Sequence, residues 1–213
     1  RRAAQGGHVD VVAWARTYGC PLEKDTCNVA ARAGHSEAVH WAHTNGCPWD
    51  KRTCWVAASA GDLAMVQWLR SKSCPWDEMT CYGFARKGHL SGLQWARANG
   101  CPWDTETFYG AAQGGHLDVL QWAPWLRENG CPWTEETCRV AARDGHLHAL
   151  QWAHSNGCPW NHETCSSAAS AGYLDVLQWA HSNGCPWDDE TFSGAAYGGH
   201  LGVLQWARSN GCP

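Results

Sequence analysis

The chain has 213 residues, 44% of them hydrophobic and 17% charged, with a formal net charge of −4. That balance provides no basic field for nucleic acid, whose binding is driven by neutralising phosphates, and no apolar run approaches the ~18 residues that a membrane span requires. The sixteen tryptophans, each able to bury roughly 150–250 Å², give ample material for a core.

One short motif, close to Asn-Gly-Cys-Pro, punctuates the chain. Its cysteines are Cys20, Cys47, Cys74, Cys101, Cys131, Cys158, Cys185 and Cys212, spaced by 27, 27, 27, 30, 27, 27 and 27 residues. Self-similarity at a fixed step between about 20 and 50 residues predicts a stacked array rather than a globule closed on one core. The array reads as a single piece over residues 1–213. A partial unit, 1–20, is followed by units 21–47, 48–74, 75–101, 102–131, 132–158, 159–185 and 186–212. Both ends fall inside the pattern, and neither has the polar face of a capping repeat, which arrays need for solubility. We therefore expect a longer protein or a partner lying against the ends.

Within each unit the signals come in a fixed order. Asp50, Asp77, Asp104, Thr134, Asn161 and Asp188 stand where a helix N-cap belongs, with Glu23 the exception. The residue before the cap and the one four after it are placed as a hydrophobic staple: Trp49 with Cys54, Trp103 with Phe108, Trp187 with Phe192. The first helix carries an Ala-Ala pair, such as Ala30-Ala31 or Ala141-Ala142, small enough for a second helix to approach closely. Glycine ends it in every unit, at Gly7, Gly34, Gly61, Gly88, Gly115, Gly145, Gly172 and Gly199, supplying the left-handed C′ conformation. The second helix has a wide apolar stripe, as in Leu174, Val176, Leu177, Trp179 and Ala180. Asn-Gly closes it and proline forbids its continuation. Nothing alternates with period two, so no sheet is predicted. In unit 102–131 three extra residues, best placed at Trp122-Ala123-Pro124, set Pro124 inside the second helix, where a kink or bulge is expected.

Together these residues resemble the ankyrin repeat. The correspondence reads Thr137-Cys138, Ala141-Ala142, Gly145-His146, Ala149-Leu150, Trp152-Ala153 and Gly157-Cys158 along one unit. It departs in length: the ankyrin period is about 33 residues, and the missing ones fall where ankyrins place a β-hairpin finger. The resemblance implies an all-α, ankyrin-like helix-turn-helix solenoid lacking β-hairpin fingers. The short step and the tryptophans look like the ankyrin-like repeats of giant DNA viruses and of some algae and oomycetes. For function the resemblance implies a protein–protein interaction scaffold or adaptor. A permanent structural subunit of a large assembly is the alternative.

Thirteen cysteines and twelve histidines invite a metal or redox reading, and the repeats themselves test it. The second cysteine series, Cys27, Cys54, Cys81, Cys138 and Cys165, gives way to Phe108 and Phe192, which neither ligate metal nor form disulfides. A bridge such as Cys47 with Cys54 would leave Cys101 and Cys185 without that partner. Free, buried thiols in a reducing compartment, intracellular and cytoplasmic, are the simpler expectation. The Gly-His histidines give way to Asp62 and Tyr173 and are read as turn hydrogen-bonders. No metal or cofactor is expected. Nor is an enzyme, because no unit has its own nucleophile, base and orienting group. Arg16, His43, Arg70, Arg97, Arg127, His154, His181 and Arg208 are read as last-turn cations that complement the helix dipole.

The framework is constant, so the positions that vary face the partner. The most variable pair lies on the first helix, four residues apart and thus on one face. It reads Asn28/Arg32, Trp55/Ser59, Tyr82/Arg86, Tyr109/Gln113, Arg139/Arg143, Ser166/Ser170 and Ser193/Tyr197. By the resemblance this helix lines the concave side. Trp55, Tyr82, Arg86, Tyr109, Arg139, Arg143 and Tyr197 are the expected partner-binding residues, because aromatics and arginine anchor interfaces. The expected partner is a protein, with no nucleic acid and no membrane insertion.

Overall fold

The computed structural model describes residues 1–128 and 133–213, with the backbone alone for 123–128. Among the described residues there are sixteen helices and no strand, and none of the helices is long and apolar enough to cross a membrane. They fall into two compact bodies, Arg1–Trp103 and Asp104–Pro213. The first holds α1 (Arg2–Gln5), α2 (Val9–Thr17), α3 (Lys24–Arg32), α4 (Ser36–Thr44), α5 (Lys51–Ser59), α6 (Leu63–Ser71), α7 (Glu78–Arg86) and α8 (Leu90–Ala98). The second holds α9 (Thr105–Gly114), α10 (Leu117–Glu128), α11 (Glu135–Arg143), α12 (Leu147–Ser155), α13 (His162–Ala171), α14 (Leu174–Ser182), α15 (Asp189–Gly198) and α16 (Leu201–Ser209). In each body the odd-numbered helices form a file in which each packs on the next, and every even-numbered helix packs on the odd-numbered one before it. This is the ankyrin-like helix-turn-helix solenoid, with a turn where a finger would stand.

The helix ends follow from local chemistry. The side chains of Asp50, Asp77, Asp104, Asn161 and Asp188 accept from the backbone N–H two residues on, at 3.0–3.2 Å. Thr134 has the extended N-cap backbone, yet its side chain makes no cap bond. Glu135 and Glu136 in the first turn supply the charge that this N-terminus favours. Every predicted C′ glycine has positive φ. So do the described glycines after the second helices, Gly19, Gly46, Gly100, Gly157, Gly184 and Gly211, and Ser73 takes that place in unit 48–74 with φ 61°. A left-handed L-residue costs roughly 1–2 kcal/mol, while glycine loses some of that gain to the unfolded chain. Ser73→Gly is therefore expected to stabilise by about 0.5–1 kcal/mol, read as a higher urea midpoint at unchanged slope.

The insert lengthens its helix. α10 runs twelve residues, against nine for α8 and α12. The side chains around Pro124 lie outside the described residues, and so does the local bonding on which the expected kink turns. Cys131 also lies outside them.

Units are joined by ring-on-glycine contacts. A Cβ added to Gly7, Gly61, Gly115, Gly145 or Gly172 would fall 2.3–2.7 Å from the ring of His35, His89, His146, Tyr173 or His200 respectively. The histidine of one unit thus covers the left-handed glycine of the unit before. His146 and His200 also bring Nε2 to 3.0 Å from the carbonyls of Gln113 and Ser170. These two histidines are hydrogen-bonders as predicted, but they bridge units.

The last-turn cations have a second contact. His43, His154 and His181 stack on Trp49, Trp160 and Trp187 at 3.6–3.8 Å, and Arg70 and Arg97 lie over Trp76 and Trp103 at 4.3 and 3.7 Å. Each of these tryptophans belongs to the following unit.

The cysteines are free thiols among the described residues, and most are buried. Cys47, Cys74, Cys101, Cys158, Cys185 and Cys212 each place Sγ at 3.2–3.6 Å from the carbonyl of the residue that caps the same unit's first helix. The thiol ties the end of a unit to its beginning. Cys54 contacts Cys74, Cys138 contacts Cys158 and Cys165 contacts Cys185 within units. The one bridge weighed and set aside from the sequence was a different pairing, Cys47 with Cys54. Hydrogen bonding to that neighbour, then burial, pushes the thiols of Cys74, Cys138 and Cys165 up. Buried thiols held protonated react slowly. Of the twelve described cysteines, an aromatic disulfide reagent at pH 8 is expected to label exposed Cys20 first and half-buried Cys212 next. The other ten should wait for urea, and rapid labelling of all twelve would contradict this packing.

Candidate protein-interaction face

In the first body the face is built on a close helix approach. Gly83 of α7 has no Cβ; one added there would lie 2.8 Å from Ser59 Oγ and 3.1 Å from the backbone of Ser59 and Trp55. Glycine costs helix stability, but here it lets α7 lie directly against α5. Trp55 and Arg86 then share one cleft of about 260 Å³, lined also by Arg32, Ser59 and Lys87. Trp55 is half-buried. Arg52 lies over its ring at 5.9 Å, and its indole N–H is buried without a partner. The same indole walls a second cleft of about 210 Å³ with Arg52, Glu78 and Met79. Tyr82 is half-buried on α7, and Arg86 is exposed at its end. Asn28 drops out of the face: it is 5% exposed and accepts a 2.7 Å bond from Thr53 Oγ1.

In the second body Tyr109 of α9 lies close to Arg143 of α11. Arg143 also donates to both oxygens of Asp144, at 2.9 and 3.2 Å. These contacts, Asp144 foremost, raise the guanidinium pKa further. Arg139 grips Glu136 with bonds of 3.0, 3.0 and 2.5 Å and reaches Glu163 of α13 at 3.8 Å. Tyr197 stands 96% exposed on α15. The structure therefore joins Trp55 with Arg86, and Tyr109 with Arg143. It ties Arg139 to neighbouring acids and leaves Tyr197 projecting into solvent.

Arg32 and Lys87 belong to the cleft and were not among the seven expected residues. Arg32 was visible as half of the varied pair. Lys87 stands where other units carry Ala33, Ala60, Gly114 or Asp144, a variation that marks it too.

One group of metal-ligand type occurs among the described residues, His162 with Asp188 and Glu190 at 3.8 and 4.0 Å. Lys24 with Asp50 and Lys51 with Asp77 occupy the same places in other units, at 3.5 and 2.7 Å. His162 is the histidine form of that ion-pair ladder.

Neither a protein-family model nor a curated protein matches the sequence. Among solved structures the chain is similar to the crystal structure of the human ASB11 ankyrin repeat domain. That likeness has a TM-score of 0.54 at 15% identity and covers 74% of this chain and 83% of that one. At this identity it is a likeness of fold, and the fold is that of an ankyrin-like helical repeat array.

Proposed function

We propose that this chain is a protein-interaction scaffold that holds a protein partner on the face of its first helices. That face is concave in ankyrin arrays. The observation that carries this reading is the cleft of the first body, where varied positions on neighbouring helices meet at a half-buried tryptophan and an exposed arginine. Such residues anchor interfaces, and a framework that repeats while its face varies is how arrays gain specificity. Trp55, Tyr82, Arg86, Tyr109, Arg139, Arg143 and Tyr197 are the proposed contacts. The proposed setting is the reducing cytoplasm, as the free thiols suit. The proposed kinship with short, Trp- and Cys-rich ankyrin-like repeats rests on the 27-residue step.

Native mass spectrometry of the protein taken gently from its source tests the scaffold reading. An added protein mass is expected, and it should vanish in a Tyr82→Ser, Tyr109→Ser, Arg143→Ser variant. The variant should keep its helical signal and lose about 1–2 kcal/mol, because it also gives up the Tyr109–Arg143 and Arg143–Asp144 contacts. A bare chain mass, or a loss of folding in the variant, would count against the reading.

A second reading, a permanent subunit of a large assembly, is favoured by exposed apolar side chains. Trp14 and Tyr18, their rings 4.6 Å apart and tilted, are 62% and 73% exposed, and Leu201 is 65% exposed. A permanent subunit should aggregate when isolated, whereas a scaffold should run as a monodisperse species in gel filtration.

A further inference from the structure

We infer that the Asn-Gly steps at the ends of the second helices are modification sites, whatever the array binds: they deamidate spontaneously when a unit frays and are held unreactive while it is folded. Six such steps occur, at Asn45, Asn99, Asn129, Asn156, Asn183 and Asn210. Asn129 lies outside the described residues. The chemistry belongs to the pair itself. The glycine backbone nitrogen attacks the asparagine Cγ, a five-membered imide closes, and the amide nitrogen leaves as ammonia with the proton that the glycine nitrogen gives up. Water then opens the imide at either carbonyl, leaving aspartate or isoaspartate. Glycine permits this because no side chain hinders the attacking nitrogen.

The folded unit withholds each requirement. The N–H groups of Gly46, Gly100, Gly157 and Gly184 donate to the carbonyl three residues back at 2.9–3.0 Å, and that of Gly211 at 3.4 Å. The reacting amide is held too. Nδ2 of the five described asparagines donates at 2.8 Å to the carbonyls of Trp41, Trp95, Trp152, Trp179 and Trp206. Ring closure needs Cβ and the glycine nitrogen nearly eclipsed about the Cα–C bond, and the observed ψ of 12–18° turns them far apart. Solvent is not the barrier, since Asn45, Asn99, Asn183 and Asn210 are exposed. The bland explanation is that asparagine merely suits this turn. Tyr18 and Lys72 hold the same backbone, with ψ 18° and 17°, so the turn needs no asparagine. Reaction therefore waits for the helix end to open, and helix ends are where opening starts.

A unit that has reacted does not close as before. The carboxylate sets an acceptor against the tryptophan carbonyl where the amide donated, and it adds negative charge at a helix C-terminus, where cations are favoured. Isoaspartate also adds a main-chain carbon just before the left-handed glycine. Deamidation thus acts as a one-way switch that loosens the array unit by unit.

Incubating the chain at mildly alkaline pH, reduced, with and without urea, and following each peptide by mass tests this. In urea all six Asn-Gly peptides should gain one mass unit, while Asn28-Val29 and Asn161-His162 lag as internal controls. In the folded chain the five described sites should react at least about tenfold more slowly than in urea, with Asn210 first among them because the N–H of its glycine has the longest bond. Asn183→Asp should lower the urea midpoint more than Asn183→Ser, which removes the amide without adding charge. Equal rates in the folded and urea-unfolded chain, controls that keep pace with the Asn-Gly sites, or an Asn183→Asp chain as stable as the original would overturn the proposal.

Discussion

Gly92→Val is expected to destabilise this protein by about 3 kcal/mol, and Phe84→Ala by about 3–5 kcal/mol, while the chain carrying both loses far less than either. Phe84 is wholly buried on α7, and a Cβ added to Gly92 of α8 would sit 2.4 Å from its Cε1 and 2.5 Å from its Cδ1. At the position of Phe84 every other full unit has alanine: Ala30, Ala57, Ala111, Ala141, Ala168 and Ala195. At the position of Gly92 the same units have Ala38, Met65, Val119, Ala149, Val176 and Val203. Unit 75–101 has exchanged small for large on one helix and large for small on the facing one. Phe84→Ala alone leaves a cavity the size of a ring. Gly92→Val alone forces a branched side chain into that ring, in a core that has no room to yield. The double variant recreates the Ala111–Val119, Ala168–Val176 and Ala195–Val203 pairs that three other units already use. Urea unfolding of the four proteins should give a coupling energy of about 3 kcal/mol or more, at the upper end for residues in contact. Losses that add to within about 0.5 kcal/mol would show that the two sites do not share one space.

What could be read from the sequence was local and repeated. The N-cap acids and the glycines act within a few residues of themselves, and eight copies filter out accident. Contacts between units were harder, because their sequence separation is that of the repeat. The last-turn cations were assigned to the helix dipole, and Arg70 does donate to the Cys74 carbonyl at its own helix end. Their stacking on the next unit's tryptophan needs the geometry of the turn between. The Gly-Cys cysteines were read as small apolar filler, and Cys47, Cys74, Cys101, Cys158 and Cys185 are buried. Their hydrogen bond to a carbonyl 24 residues earlier has no local signature. At the candidate face two of the expected residues are instructive. Arg139 and Arg143 were chosen for arginine's chemistry, although Glu136 at i−3 and Asp144 at i+1 were in plain view and could claim them. The Arg32–Trp55–Arg86 cleft depends on how closely α5 and α7 approach, which Gly83 decides.

The buried threonines give the last expectation, and its sign runs against habit. Thr53, Thr80, Thr107, Thr164 and Thr191 are each at most 1% exposed, at the third position of their helices. Thr53 Oγ1 donates to Asn28 Oδ1, whereas the hydroxyls of Thr80, Thr107, Thr164 and Thr191 have no partner. An unpaired buried hydroxyl costs about 1–3 kcal/mol. Valine has nearly the same shape and no polar group. Thr→Val at the four unpaired sites should therefore stabilise by about 1 kcal/mol each, the upper part of that cost being lost to imperfect packing. The four sites lie in different units, so the gains should add to about 4 kcal/mol. That corresponds to a rise in melting temperature of about 2–4 °C per kcal/mol for a chain of this size. Thr53→Val should move the other way by about 1–3 kcal/mol, because it strands the Asn28 carbonyl oxygen in the core. The opposite signs make the test strict. A side chain retained only for its volume would respond alike at all five positions, and loss of stability at Thr164 or Thr191 would mean that those hydroxyls have a partner after all.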